Sequence, residues 1–379
     1  MVTHGRFPPD SRVEKEALSL FQAGYRIVIY ANGIVTERKM GLYKGLNVRY
    51  YELRYYIPYL LFVLPLLLRK WLVEDEIDVV HVQDTPMAIP SAIAAASLGI
   101  PIVYDVHEAW PKMVAEDDLV PFLLKAPLIL WSKVSEFVGC KASRVVITTS
   151  DEMASYITDT YNVPKGRIKV FMNTVAKLNS GDMPKIELPA DCFKVCFVGN
   201  MNTGALLLDK VIESVSYIRD RTNLRLYLVG DGKSRPQLEE LTKKLHLEDY
   251  VKFTGWMPKE KAFAYISACD VCLLPFKKTF NANVSSPNKL FEYLIFGKPV
   301  IMTSLATPKK LLGDAALIWD PPTPKKLAQI IENLYKDVDL RRTIGEVGKS
   351  LVEQRYLWEY NQERLLKSYN ALLNANKEK

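Results

Sequence analysis

The sequence predicts an α/β fold built from two Rossmann-like domains facing a cleft, and three observations carry the two-domain part. Short apolar runs alternate with amphipathic helical stretches, the pattern of parallel strands joined by crossover helices. The alternation runs twice, on either side of a stretch at residues 175–189 that holds Asn, Ser, Gly, Asp and two prolines and reads as a linker. The chain has 379 residues, too many for one ordinary domain and comfortable for two. With 49% hydrophobic and 25% charged residues, the composition is that of a globular protein and argues against disorder. A net charge of +7 fits anionic substrates or an anionic membrane surface. No basic stripe is interleaved with aromatics, so nucleic acid is not expected as a partner.

In the first half, strands are expected at residues 26–30, 48–51, 79–82, 102–104, 145–148 and 168–171, with helices at 11–23, 57–73, 87–98 and 150–161. In the second half, strands are expected at 194–198, 224–229, 251–254, 271–274, 300–303 and 316–319, again with helices between them. A domain of this type should open with a buried strand of about five residues, yet only Met1-Val2-Thr3 precede the first loop. Either the natural start lies upstream or the first strand is a stub.

Two apolar stretches stand out. Residues 55–71 include twelve apolar positions (57–68) with two prolines, flanked by Arg54 and by Arg69-Lys70. A bilayer span needs about 20 residues, so this is either a buried helix or one lying in a membrane interface. Residues 119–138 carry Phe122, Trp131 and a run of leucines with Lys125 and Lys133. Both fit helix-on-sheet packing, and both fit peripheral membrane contact.

Five cysteines (Cys140, Cys192, Cys196, Cys269, Cys272) make an odd count with no secretory signal before them. Cys196 and Cys272 fall inside apolar strands, where free cysteine is an ordinary core residue, so a reducing cytoplasmic setting is expected rather than a zinc site. Asp337-Val338-Asp339 is a nominal Asp-x-Asp in a polar stretch between helices, and it is rejected as a metal site.

The chemistry is concentrated in Ser285-Ser286-Pro287-Asn288-Lys289-Leu290-Phe291-Glu292-Tyr293, which runs on to Gly297-Lys298-Pro299-Val300-Ile301. Ser286 reads as a helix N-cap, Pro287 as the first helical residue and Gly297 as the C′ stop. A helix N-terminus is a ready anion site, because free N–H groups and the dipole both favour negative charge. Lys289 adds a cation where the dipole disfavours one. Glu292 lies roughly 4–5 Å further along the axis, and a carboxylate accepts well from two vicinal hydroxyls. Together they describe a nucleotide-diphosphate pocket. The plainer alternative is a surface helix with an ordinary Lys–Glu pair three residues apart.

This stretch resembles the donor-site motif of the retaining family 4 glycosyltransferases of GT-B fold. The resemblance implies an N-terminal acceptor domain at 1–176, a linker at 177–191, a C-terminal nucleotide-sugar domain at 192–357 and a last helix, 358–379, that returns to the first domain. It implies Lys289 and Glu292 in the catalytic site. His107, in Tyr104-Asp105-Val106-His107-Glu108, resembles the family's histidine facing the transferred sugar. Donor contacts are implied at Gly199, Asn200, Gly230, Gly255, Trp256, Ser285, Ser286, Pro287 and Asn288. The acceptor side is implied at Gly5 and Arg6, with Arg12 also near phosphate; His81 and Asp84, at the end of the strand before that of His107, are further candidates for acceptor contact. No metal or other cofactor is implied. Two departures stand out: the first of the family's paired glutamates would fall at Val284, and the loop Asn200-Met201-Asn202-Thr203-Gly204 lacks the usual Arg and Lys. Lys289 must then do more, with Arg6 or Lys277. The expected function is transfer of a sugar from a UDP- or GDP-sugar to a hydroxyl of a glycan or lipid-linked acceptor, at the inner face of the membrane. A sugar-nucleotide epimerase of the same fold, or a catalytically idle partner subunit, are the alternatives.

Overall fold

Apolar strands wrapped by amphipathic helices sort the chain into two units, Met1–Asn173 with Glu359–Lys379, and Thr174–Trp358. The computed structural model describes residues 1–8, 10–33, 40–54, 57–117, 120–178, 184–201 and 204–377. Parts of four sequence readings (residues 55–56, 119, 202–203 and 378–379) lie outside these, as does part of the expected linker.

The first unit holds an eight-stranded sheet: β1 (Val2–Thr3), β2 (Val28–Asn32), β3 (Met40–Tyr43), β4 (Leu46–Tyr51), β5 (Val80–Gln83), β6 (Ile102–Val106), β7 (Val145–Thr148) and β8 (Ile168–Val170). Their order is β3-β4-β2-β1-β5-β6-β7-β8, all parallel except the β3–β4 pair. The helices are α1 (Ser11–Gln22), α2 (Leu64–Glu74), α3 (Ala88–Ala96), α4 (Trp110–Glu116), α5 (Phe122–Ala142) and α6 (Asp151–Tyr161). The short first strand sits at the sheet centre, between β2 and β5. Strand β3 was not anticipated. Lys44 and Gly45 both take positive φ (50° and 85°), as a two-residue hairpin requires.

The helix expected at 57–73 is interrupted. Pro65 has no N–H to give to residue 61, and a π-helical turn at Tyr59–Val63 precedes α2. The helix expected at 119–138 begins at Phe122 and continues to Ala142.

The second unit holds a six-stranded parallel sheet: β9 (Phe193–Val198), β10 (Leu224–Val229), β11 (Val251–Gly255), β12 (Val271–Leu274), β13 (Val300–Thr303) and β14 (Ala316–Trp319), in the order β11-β10-β9-β12-β13-β14. Around it lie α7 (Leu208–Ser216), α8 (Arg235–Lys244), α9 (Lys259–Ala268), α10 (Phe280–Val284), α11 (Asn288–Ile295), α12 (Ala306–Leu312), α13 (Pro324–Lys336) and α14 (Val338–Arg355). Leu178 and Leu188, inside the stretch expected as a linker, pack on the core of this unit. The last helix, α15 (Trp358–Lys377), puts Leu365, Tyr369 and Leu372 into the core of the first unit.

All five cysteines are buried and free, and Cys196 Sγ lies 3.5 Å from Cys272 Sγ across the β9–β12 register. Asp337 caps α14 by accepting from Leu340 N at 2.8 Å, and Asp339 pairs with Arg342 at 3.0 Å.

Helix α5 approaches the first sheet at Gly139. A Cβ there would lie 2.7–2.9 Å from three atoms of the fully buried Tyr104 ring. An aromatic ring held on all sides cannot yield cheaply. Gly139→Ala is expected to lower stability by up to about 2 kcal/mol, since overpacking of about 1–3 kcal/mol is offset by the roughly 1 kcal/mol of helix propensity that alanine gains. Thermal melting checks this, and an unchanged or raised Tm would refute it.

Candidate active site

Open parallel sheets offer ligand sites beyond strand C-termini where the strand order reverses. In the second unit that point lies between β9 and β12, and Gly199 follows β9 directly. Gly199 N donates to Val229 O at 2.8 Å and Gly230 N to Gly255 O at 3.1 Å, so three predicted glycines stack where β9, β10 and β11 end. Gly230 is required by close approach: a Cβ would meet Gly199 O at 2.0 Å. Asn200 is exposed, and Met201 is buried, its N–H bonded to Asp231 O at 2.9 Å. Trp256 is 71% exposed.

Helix α11 enters this edge. It starts one residue later than the sequence indicated. Pro287 is the flanking residue, with ψ 135°, and its carbonyl accepts from Leu290 N at 3.0 Å. Ser286, expected as the cap, sits outside the helix and is fully buried, Ser285 ends α10, and Asn288 is the first helical residue. Gly297 takes the predicted C′ place with φ 66° and bonds to Leu294 O at 2.8 Å. Tyr293 is fully buried, and its hydroxyl accepts from Val198 N at 2.9 Å and donates to Val198 O at 3.3 Å.

This places Lys289 against Gly199. A Cβ on Gly199 would lie 2.1 Å from Lys289 Cε and 2.8 Å from Nζ. Burial lowers the Lys289 pKa, and Glu292 pulls it back only in part. Among the described residues no carboxylate lies within ion-pair distance of its Nζ. Glu292 faces Lys259 Nζ instead, at 3.7 Å, with its own side chain 16% exposed. Sequence reading missed Lys259, at the start of α9, and Arg235. The Arg235 guanidinium would lie 3.3 Å from a Cβ at Gly255, and it pairs with Asp231 (3.1 Å) and Glu239 (2.7 Å). Each stands early in a helix that follows one of the glycine turns, a position a reader could have searched for cations. Lys277 is exposed, and its N–H bonds to Ala205 O.

In the first unit the strand order reverses at β1, and Gly5, Asp84 and His107 follow β1, β5 and β6. Gly5 is partly exposed and Arg6 exposed. Asp84 is buried, at φ 71°, and accepts from Thr85 N at 3.0 Å. A non-glycine residue held there stores backbone strain, often at functional sites.

Behind this edge lies a buried polar network. Arg12 donates to both carboxylate oxygens of Asp105, at 2.8 and 2.9 Å, and to Phe171 O. Arg12 is therefore a core residue and is withdrawn as a phosphate ligand. His81 is also withdrawn from the acceptor side: it is buried, sharing a 2.8 Å hydrogen bond with Tyr369 through Nδ1. Gln83 donates to Glu16 Oε2 at 2.8 Å, which turns its oxygen toward His107 Nε2, also at 2.8 Å. His107 Nε2 thus carries a proton and reaches Asp105 Oδ2 at 3.3 Å. Glu16, His81 and Asp105 bring three ligand-type atoms within 4.8 Å of one another. The guanidinium of Arg12 already supplies the cation there.

Burial opposes charge on His107, but Asp105 outweighs it and pushes the pKa up to about 9. Burial beside Asp105 pushes Glu16 up to about 8. Both groups hold protons in the folded chain that they release at their ordinary values when unfolded. Their stabilising effect is therefore full below those ordinary values and is lost as pH rises through 8 and 9. Melting temperature is expected to fall between pH 6.5 and 9, the His107 share amounting to about 2–3 kcal/mol. His107→Gln should flatten that decline, and a wild-type Tm that holds steady over the interval would contradict the assignment.

Two family models match this chain, "Glycosyltransferase Family 4" over residues 13–176 and "Glycosyl transferases group 1" over 192–337. The lipopolysaccharide core biosynthesis glycosyltransferase LpsD of Rhizobium meliloti is 31% identical over 175 residues, which is 45% of this chain and 47% of that protein. The chain thus spans about half the length of this curated relative. Sucrose-phosphate synthase from Thermosynechococcus elongatus shares the fold with a TM-score of 0.76 at 19% identity, covering 96% of this chain and 93% of that one. HepE of Anabaena, solved in complex with UDP and glucose, gives 0.73 at 16%, covering 97% and 98%. With matching models on both units and that fold, the chain belongs to the family 4 glycosyltransferases of GT-B fold.

Proposed function

We propose that this chain is a retaining glycosyltransferase that moves a sugar from a nucleoside-diphosphate donor to a hydroxyl acceptor in glycan synthesis. The observation that carries the reading is Lys289: a half-buried cation with no carboxylate at ion-pair distance among the described residues, at a helix N-terminus, fitted against a glycine that leaves it room. An anion completes that arrangement. The departing diphosphate supplies one, and preorganised charge where negative charge develops is the largest common source of rate enhancement. The positive end of the α11 dipole adds to it.

Glu292 then takes hydroxyls of the donor, with Lys259, 3.7 Å away, orienting it. Gly199, Gly230 and Gly255 leave backbone close to the ligand, and Trp256 offers an exposed ring. The work of the absent phosphate-loop Arg and Lys is assigned to Lys289 and, beyond the Arg6 or Lys277 of the sequence reading, to Arg235. The acceptor is assigned to the first unit, at the edge formed by Gly5, Arg6, Asp84 and His107. HepE, a protein of similar fold, was solved with UDP and glucose, which supports a uridine donor ahead of a guanosine one. Donor binding without a metal is part of the proposal.

Calorimetric titration with UDP, GDP and ADP, with and without magnesium, tests this. Micromolar binding of one nucleotide, indifferent to magnesium, is expected. Lys289→Ala should weaken it ten- to a hundredfold, about 1.4–3 kcal/mol. Gly199→Ala, which displaces the lysine without removing it, should do nearly as much. Glu292→Ala should depress turnover of the nucleotide sugar more than diphosphate binding. Silence with all three nucleotides, or undiminished binding by both Lys289→Ala and Gly199→Ala, would overturn the donor site and favour the idle-subunit alternative.

A further inference from the structure

Helix α5 is amphipathic in the reverse of the usual sense. Its buried positions are Ser132, Ser135, Glu136, Gly139 and Cys140. Its outward stripe is Leu123 (85% exposed), Leu130 (64%), Val134 and Phe137, spaced seven, four and three residues apart, with Phe122 (88%) at its start. A helix facing water carries the opposite pattern.

The helix cannot be rotated to hide its leucines. Glu136 accepts from Trp110 N at 2.8 Å, Tyr161 Oη at 2.7 Å and Tyr156 Oη at 3.1 Å, and turning it outward would strand all three donors. A second apolar stretch stands nearby. Ile57, Phe62, Val63 and Leu66 are each more than half exposed, and α3, which packs against both α2 and α5, exposes Ile93.

The exposed charges of α5 itself have one sign. Glu136 is the sole acid of α5 and is buried, whereas Lys133 and Lys141 are exposed and Lys125 partly so. Arg69 is exposed on α2. Among the described residues, Lys125, Lys133 and Arg69 have no ion-pair partner. An apolar stripe with a cationic margin fits an anionic lipid surface, where leucine and phenylalanine reach the acyl boundary and lysine meets the headgroups. A second copy of the chain fits worse, because pairing α5 with itself would gather its lysines.

We propose that α5, with residues 57–66 beside it, is a docking face for an anionic phospholipid membrane. No described helix is long and apolar enough to cross a bilayer, so the contact is interfacial. It does not depend on the donor-site reading.

The test is co-sedimentation of the full chain with phosphatidylcholine vesicles, with and without phosphatidylglycerol. Binding is expected to the anionic vesicles, much less to the neutral ones, and to weaken with added salt. The double variant Lys125→Gln, Lys133→Gln should lose roughly fivefold per charge. Leu130→Ser, Phe137→Ser should lose at least about tenfold, because it removes two apolar side chains of the outward stripe. The inference is overturned if the wild type stays in the supernatant with both vesicle types, or if both variants bind like it. It is equally overturned if the protein is a dimer by sedimentation velocity that Leu130→Ser, Phe137→Ser dissociates, since a second copy then covers the face.

Discussion

One buried hydroxyl fixes the geometry on which the candidate donor site depends. Tyr293 Oη bonds both the N–H and the carbonyl of Val198, the last residue of the central strand β9. Lys289 lies one helical turn before Tyr293, so the same anchor sets its side chain beside Gly199. Leu290, Phe291 and Leu294 are fully buried and prevent the helix from rolling. The lysine is therefore held where burial and the helix dipole both work against its charge. A flexible surface lysine would simply swing into water. Held in place, it retains an unbalanced positive potential, and a bound anion relieves burial, dipole and Coulomb penalties together.

The first unit reaches a poised strand edge by other means. Its polar groups are satisfied among themselves: Arg12 with Asp105, Gln83 with Glu16 and His107, His81 with Tyr369. A buried ion pair adds little net stability over an apolar core, but breaking it is costly. What the network does provide is orientation. Gln83 can offer its oxygen to His107 only because its nitrogen is engaged by Glu16, so the imidazole is presented at the strand edge in a fixed protonation state. The last helix takes part through Tyr369, which ties the end of the chain to the core of its first segment.

Much of the fold was legible because parallel strands buried on both faces read as continuous apolar runs. Strands β7, β10, β12, β13 and β14 lie where the sequence placed them. The same property hid the role of His81. When all four residues of β5 are buried, alternation cannot say which side a histidine faces. Arg12 was misread for a related reason: an arginine in a first helical turn looks solvated unless its carboxylate partner, Asp105, is known from far along the chain. Strand β3 was passed over because its four residues include a glycine, although the Lys44-Gly45 turn marked the hairpin. At the donor edge the helix–glycine–strand pattern was readable, but Lys259 and Arg235 reach it only through tertiary packing.

Helix α5 shows why hydrophobicity and burial must be kept apart. A count of its leucines points to a core helix, yet its core-facing side was selected for fit and polarity. Gly139 makes room for Tyr104, and the Tyr104 hydroxyl shares a 2.9 Å hydrogen bond with Thr85, immediately after the strained Asp84. Glu136 takes hydrogen bonds from α4 and α6 on either side. The buried face of α5 therefore braces the strand edge that carries Asp84 and His107, and it cannot also supply the apolar surface a helix normally hides. Its leucines are left outside by that requirement. Packing of Gly139 on Tyr104, and the hydrogen bond from Tyr104 to Thr85, thus join the inner face of α5 to the backbone that follows Asp84.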